Sequence, residues 1–186
     1  MVMVSATEVA EGLRQDEFIL HYQPQASLIH NRIVGAEALA RWQRPHGELL
    51  PPAAFIPVAK HAGLINSMTL CLLPRLIEDL AAACMHDDLC VSFNVTASDF
   101  EDDVLAGRIL DHLAHGRLRP RALQLEITET QALHPGQRMR RNVEALAEAG
   151  VGLAMDDYGW ATLQSIRSAN GPSPASSWIR ESSAAC

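Results

Sequence analysis

Four stretches of the sequence end an otherwise apolar run with an acid or an amide. They are Glu37 in "RIVGAEALARW", Asn94 in "LCVSFNVTA", Glu126 in "ALQLEITET", and Asp156 with Asp157 in "VGLAMDDYG". If the four stretches are neighbouring strands, these groups converge on one rim. Bare like charges cannot share such a rim, because two at about 4 Å repel by about 4 kcal/mol at an effective dielectric of about 20. A cation must then sit among them. An all-oxygen donor set favours the hard ions Mg²⁺ or Mn²⁺ over zinc, and bridging carboxylates suit two metals, an arrangement that recurs in phosphodiester hydrolysis. Arg41 lies on the same strand face as Glu37 and is placed to grip a phosphate oxygen. Each group also has an ordinary reading. Glu37 and Arg41 can form an ion pair, and Asn94 can bond the backbone of a turn. Glu126 and Glu129 can be acids at a helix start, and Asp156 and Asp157 can open a turn with Gly159. Spacing alone leaves these readings open; the recurrence at successive strand ends is what favours the shared site.

The elements needed to position such a site are legible. "SATEVAEGLRQDE" predicts a first helix capped by Ser5, and "FILHYQPQASL" is extended. In "RIVGAEALARW", Gly35, Glu37, Leu39 and Arg41 share one face, and Ala36, Ala38, Ala40 and Trp42 share the other. "PPAAFIPVAKHAGLI" and "NSMTLCLLPRLIEDLAAAC" predict helices, the second starting at Asn66 or Ser67 and kinked or interrupted at Pro74. Further helices are expected in "DDVLAGRILDHLAHG", ending at Gly116, and in "PGQRMRRNVEALAEAG", ending at Gly150. Strands alternating with helices of this length predict parallel βα units with right-handed crossovers, whose C-terminal strand ends carry ligand sites.

Composition narrows the class. The chain has 186 residues, a formal net charge of −7 and 20% charged residues, which fits one globular domain. No apolar run is long enough for a membrane span. The opening segment has no basic stretch followed by an apolar core, which points to the cytoplasm. The acidic balance gives no footprint for duplex nucleic acid. Cys71, Cys84, Cys90 and Cys186 have no metal-site spacing and are expected to be reduced. His112 and His115 are three apart on a helix, where a helix-end role for His115 outweighs metal binding. "RMRR" at 138–141 is expected to be a solvated helix face. There is no glycine-rich phosphate loop, no GxSxG elbow and no metalloprotease motif.

"HYQPQASLIHNRIVGAEALARWQRPHGELLPPAAFIPVAKHAGLI" closely resembles the start of the EAL domain of bacterial cyclic-di-GMP phosphodiesterases, with "EAL" itself at Glu37, Ala38 and Leu39. The resemblance continues through "VSFNVTASDF", "LQLEITET" and "LAMDDYG", over about residues 15–167. It implies a TIM-type (β/α)₈ barrel that hydrolyses cyclic di-GMP to the linear dinucleotide pGpG with two Mg²⁺ or Mn²⁺ ions, and a possible homodimer. By the same resemblance Glu37, Asn94, Glu126 and Asp156 are metal ligands and Asp157 serves the second metal, which makes Glu37, Asp156 and Asp157 the expected catalytic groups. Gln23 and Arg41 are expected to contact base and phosphate, and Glu129 to brace the loop after the last strand.

Three departures qualify these expectations. The family's "AEE" is "AKH" here, with Lys60 and His61, and the family's loop "DDFGTGYSSL" is shortened to "DDYGWATL". A complete barrel of this kind takes about 250 residues, about 200 at the least, and strands six to eight have no counterpart after Arg167. The family's lysine after the sixth strand is among the missing groups. An incomplete barrel of about five βα units over 1–167 is therefore expected, followed by a Ser-, Ala- and Pro-rich tail at 168–186 expected to be disordered. A degenerate domain that binds cyclic di-GMP or a protein partner without cleavage, and a remnant without function, are the alternatives to an active enzyme.

Overall fold

The computed structural model describes residues 3–28, 31–45, 47–83, 89–127 and 136–155. Glu129, Asp156, Asp157, Cys84, Cys186 and the 168–186 tail lie outside the described residues. Among the described residues six strands form one sheet: β1 (Phe18–Ser27), β2 (Arg32–Gln43), β3 (Leu49–Leu50), β4 (Cys90–Val95), β5 (Leu123–Ile127) and β6 (Gly152–Met155). Five helices accompany them: α1 (Ala6–Arg14), α2 (Pro52–His61), α3 (Ile65–Ala82), α4 (Val104–Ala114) and α5 (Gln137–Glu148). The strand order is β1-β2-β4-β5-β6, with the short β3 on β2.

From β2 onward the main path is parallel: β2–β4, β4–β5 and β5–β6 all pair in the same direction. Each step crosses over through at least one helix, as the alternation predicts. The start differs, because β1 and β2 pair antiparallel. Only a short connection separates them, and a connection that short can close a hairpin but not a crossover. The register shifts between Gln25 and Ala26, a local irregularity of the kind a β-bulge makes.

The helix-facing side of the sheet is the core. Phe18 stacks on Trp42 with ring centroids 5.1 Å apart, and Phe55 of α2 meets both rings edge-on at 5.2 and 6.2 Å. The buried Trp42 indole N–H donates to the Glu17 carboxylate at 2.7 Å, so the large ring buries no unpaired donor. Phe93, Val95, Leu123, Leu125 and Ile127 continue this face, all buried. Alternation therefore assigns the even-numbered β2 residues to the core, and Ala38 and Trp42 are indeed buried.

Local signals set the helix ends. Ser5 caps α1 through a reciprocal box in which its hydroxyl accepts from the Glu8 N–H and the Glu8 carboxylate accepts from the Ser5 N–H. Gly116 and Gly150, which follow α4 and α5, have φ of 69° and 90°, a region costly for other residues. Of the kink or interruption expected at Pro74, the interruption does not occur: α3 runs unbroken from Ile65 to Ala82 and starts one residue before Asn66. Pro74 lies on the exposed side of α3. It cannot donate to the Leu70 carbonyl, and the Arg108 guanidinium donates to that oxygen instead at 3.5 Å.

Candidate active site

The opposite face of the sheet is polar. The paired residues Gln23↔Glu37, Glu37↔Ser92, Ser92↔Gln124 and Asn94↔Glu126 all project from it, because residues directly opposite in a sheet share a face. Glu37, Asn94, Gln124 and Glu126 are half-buried, while Gln23 is exposed. The chain thus brings three of its five strand-end donors into one row, and the other two, Asp156 and Asp157, lie outside the described residues directly after β6.

Within the row, the Asn94 side-chain N–H donates to Glu37 Oε1 at 2.9 Å, a contact between residues 57 apart in sequence. The Gln124 side-chain N–H donates to Glu126 Oε1 at 3.3 Å. The Arg41 Nη1 donates to the Ala40 carbonyl at 2.9 Å. Glu37 is thus held by Asn94 and not by Arg41, so the ion-pair reading of Glu37 with Arg41 gives way to a contact across strands. The turn reading of Asn94 gives way with it. Glu37, Asn94 and Glu126 offer carboxylate and amide oxygens, a donor chemistry that suits a hard divalent cation. Among the described residues no three His, Cys, Asp or Glu side chains come together, so two carboxylates and one amide are the donor set in view.

Just beyond Asn94, the loop after β4 is built around one carboxylate that reasoning from sequence missed. Asp99 is fully buried and accepts from the Thr96 N–H at 2.8 Å and the Thr96 hydroxyl at 2.9 Å. It also accepts from the Asn66 amide at 3.1 Å and the Thr69 hydroxyl at 3.3 Å, both on α3. Asp99 therefore ties the end of the Asn94 strand to α3. The signal was present as Thr96-x-x-Asp99, the [ST]-x-x-[DE] pattern of a capping box. A groove of about 530 Å³ beside it is lined by Lys60, Asn66, Thr96, Ser98, Glu101 and Asp102.

The rival features behave as ordinary structure. His115 caps the end of α4, its Nδ1 lying 2.8 Å from the Asp111 carbonyl. Burial lowers the pKa of His112, whose Nδ1 is buried without a hydrogen-bond partner. Arg138, Arg140 and Arg141 are exposed, and Arg141 pairs with Asp103 at 2.9 Å. Among the described residues Cys71 and Cys90 are not in a disulfide. No helix among the described residues is long and apolar enough to cross a membrane.

A mixed sheet whose parallel strands are linked through helices, with polar groups gathered on the face turned away from them, defines a TIM-barrel-like α/β domain. A sequence profile of the EAL domain matches residues 6–170, and the chain belongs to the EAL domain family. It is 34% identical over 156 residues to the cyclic di-GMP phosphodiesterase RocR of Pseudomonas aeruginosa, covering 83% of this chain and 40% of RocR. It is 35% identical over 152 residues to the signaling protein YkoW of Bacillus subtilis, covering 80% of this chain and 19% of YkoW. The chain thus spans between a fifth and two fifths of the length of these relatives. Among solved structures, the phosphodiesterase PaMucR in complex with c-di-GMP superposes with a TM-score of 0.72 at 27% identity, over 85% of this chain and 66% of that one.

Proposed function

We propose that this chain is a metal-dependent phosphodiesterase that hydrolyses cyclic di-GMP to pGpG. The observation that carries the reading is the Glu37–Asn94 contact at 2.9 Å, with Glu126 in register beside Asn94 on one sheet face. In this reading Glu37, Asn94, Glu126, Asp156 and Asp157 hold two Mg²⁺ or Mn²⁺ ions, and Glu37, Asp156 and Asp157 are the catalytic groups. Bound there, the pair of cations supplies a nucleophilic water at neutral pH and polarisation of the phosphodiester. The chain's own contribution is placement. Arg41 turns its guanidinium from the Ala40 carbonyl to a phosphate oxygen, Gln23 contacts a base from β1, and Glu129 braces the loop carrying the two aspartates. The Glu37–Asn94 bond holds both side chains on one face before any ligand arrives. The domain runs to about residue 167, the 168–186 segment forms a separate tail, and the protein works in the cytoplasm.

The test is incubation of the purified chain with cyclic di-GMP and Mn²⁺. Linear product is expected, and Glu37→Ala is expected to lower its rate by about 10²–10⁴-fold. Product formed equally well by Glu37→Ala would overturn the assignment. One observation favours a second reading, binding without cleavage: the two aspartates of the donor set open the shortened stretch "DDYGWATL". That reading predicts a higher melting temperature with cyclic di-GMP and no linear product.

A further inference from the structure

We propose that Gln124 is a positioning residue whose side-chain amide holds the Glu126 carboxylate in the donor row, an inference that rests on the reading of Glu126 as a metal ligand. Gln124 and Glu126 are two apart on β5 and therefore share its polar face. The Gln124 N–H donates to Glu126 Oε1 at 3.3 Å. The neighbouring strand is shaped to allow it. Opposite Gln124 and Glu126 stand Gly152 and Ala154, the two smallest side chains available. A Cβ at Gly152 would lie 3.1 Å from Gln124 Cβ and 3.2 Å from its Cγ, so anything larger than glycine would press on the stem that carries the amide.

The arrangement extends the row at both ends. Asn94 donates to Glu37 on one side, and Gln124 donates to Glu126 on the other. Groups that orient ligands in this way tune metal affinity without touching the metal.

The experiment is calorimetric titration of Mn²⁺ into the full chain, alongside the melting temperature without metal and the Mn²⁺ dependence of cyclic di-GMP hydrolysis. Gln124→Met keeps the length of the side chain and removes the donor. It is expected to weaken Mn²⁺ binding about tenfold, the lower end for an orienting group, with the metal-free melting temperature unchanged. The Mn²⁺ concentration for half-maximal rate should rise in step, and kcat should recover at saturating Mn²⁺, which loss of packing would not reproduce. Gly152→Ala, which crowds Gln124 but keeps its amide, should weaken Mn²⁺ binding less and in the same direction, and it decides the matter if Gln124→Met fails to fold. Wild-type affinity in both variants, with Glu126→Gln impaired, would overturn the role of Gln124 and leave the function standing. Wild-type affinity in Glu126→Gln would overturn the ligand reading and this proposal together.

Discussion

The two faces of the sheet are built on opposite terms. The helix-facing side is closed by Phe18, Trp42, Phe55, Phe93 and Leu125, all under 5% exposed, and its order comes from dense apolar packing. The other side carries Gln23, Glu37, Asn94, Gln124 and Glu126, half-buried or exposed, ordered by a few hydrogen bonds between amides and carboxylates. Apart from Phe55 of α2, the same strands supply both sets, on alternate faces. The difference teaches that folding and chemistry are separable here: the first face specifies where the strands lie, and the second is free to keep polar groups whose value lies in what they bind.

The sharpest break between the faces should come from their largest side chains. Trp42→Ala removes the centre of the aromatic trio and should cost about 3–5 kcal/mol, read as a lower urea midpoint. Gln23→Ala on the exposed edge of the polar face should change stability by no more than about 0.5 kcal/mol. Equal effects would mean that the polar face also bears the fold.

An effect smaller than that of Trp42→Ala lies away from both faces, in the capping box of α1. Glu8 has a pKa lowered from 4.5 to about 2, chiefly by the Ser5 backbone N–H, then by the Ser5 hydroxyl and by the Arg44 guanidinium. A folded-state pKa below the unfolded one adds stability above the unfolded pKa, and that stability is lost as pH falls through the folded one. The window is therefore from 4.5 down to about 2. Ser5→Ala should cost about 1 kcal/mol near neutrality, and melting curves across this window should show a shallower acid limb than the wild type. An unchanged limb would show that the box does not set it.

Much of this separation was legible in the sequence. Alternation put Glu37 and Trp42 on opposite faces, and the recurrence of acids and amides at strand ends marked Glu37, Asn94 and Glu126 before their geometry was in view. What stayed hidden depends on distant partners. At Pro74 the Leu70 carbonyl of the unbroken α3 accepts from Arg108 of α4, and local propensity contains no trace of that. Thr96-x-x-Asp99 has the pattern of a capping box, but that Asn66 and Thr69 of α3 also close over Asp99 is not in the local pattern. Gln124 looks like an ordinary outward strand residue until Gly152 opposite makes room for its side chain. The antiparallel start follows from a short connection, a matter of chain length and not of pattern.

The central claim is that oxygen donors from separate strands bind a divalent cation together. Titrating Mn²⁺ calorimetrically into the wild type, Glu37→Gln and Asn94→Ala tests it most directly, because these two residues come from different strands and touch in the fold. The account predicts measurable binding by the wild type, weakened by about tenfold or more in each variant. Identical Mn²⁺ affinity in all three proteins would contradict it.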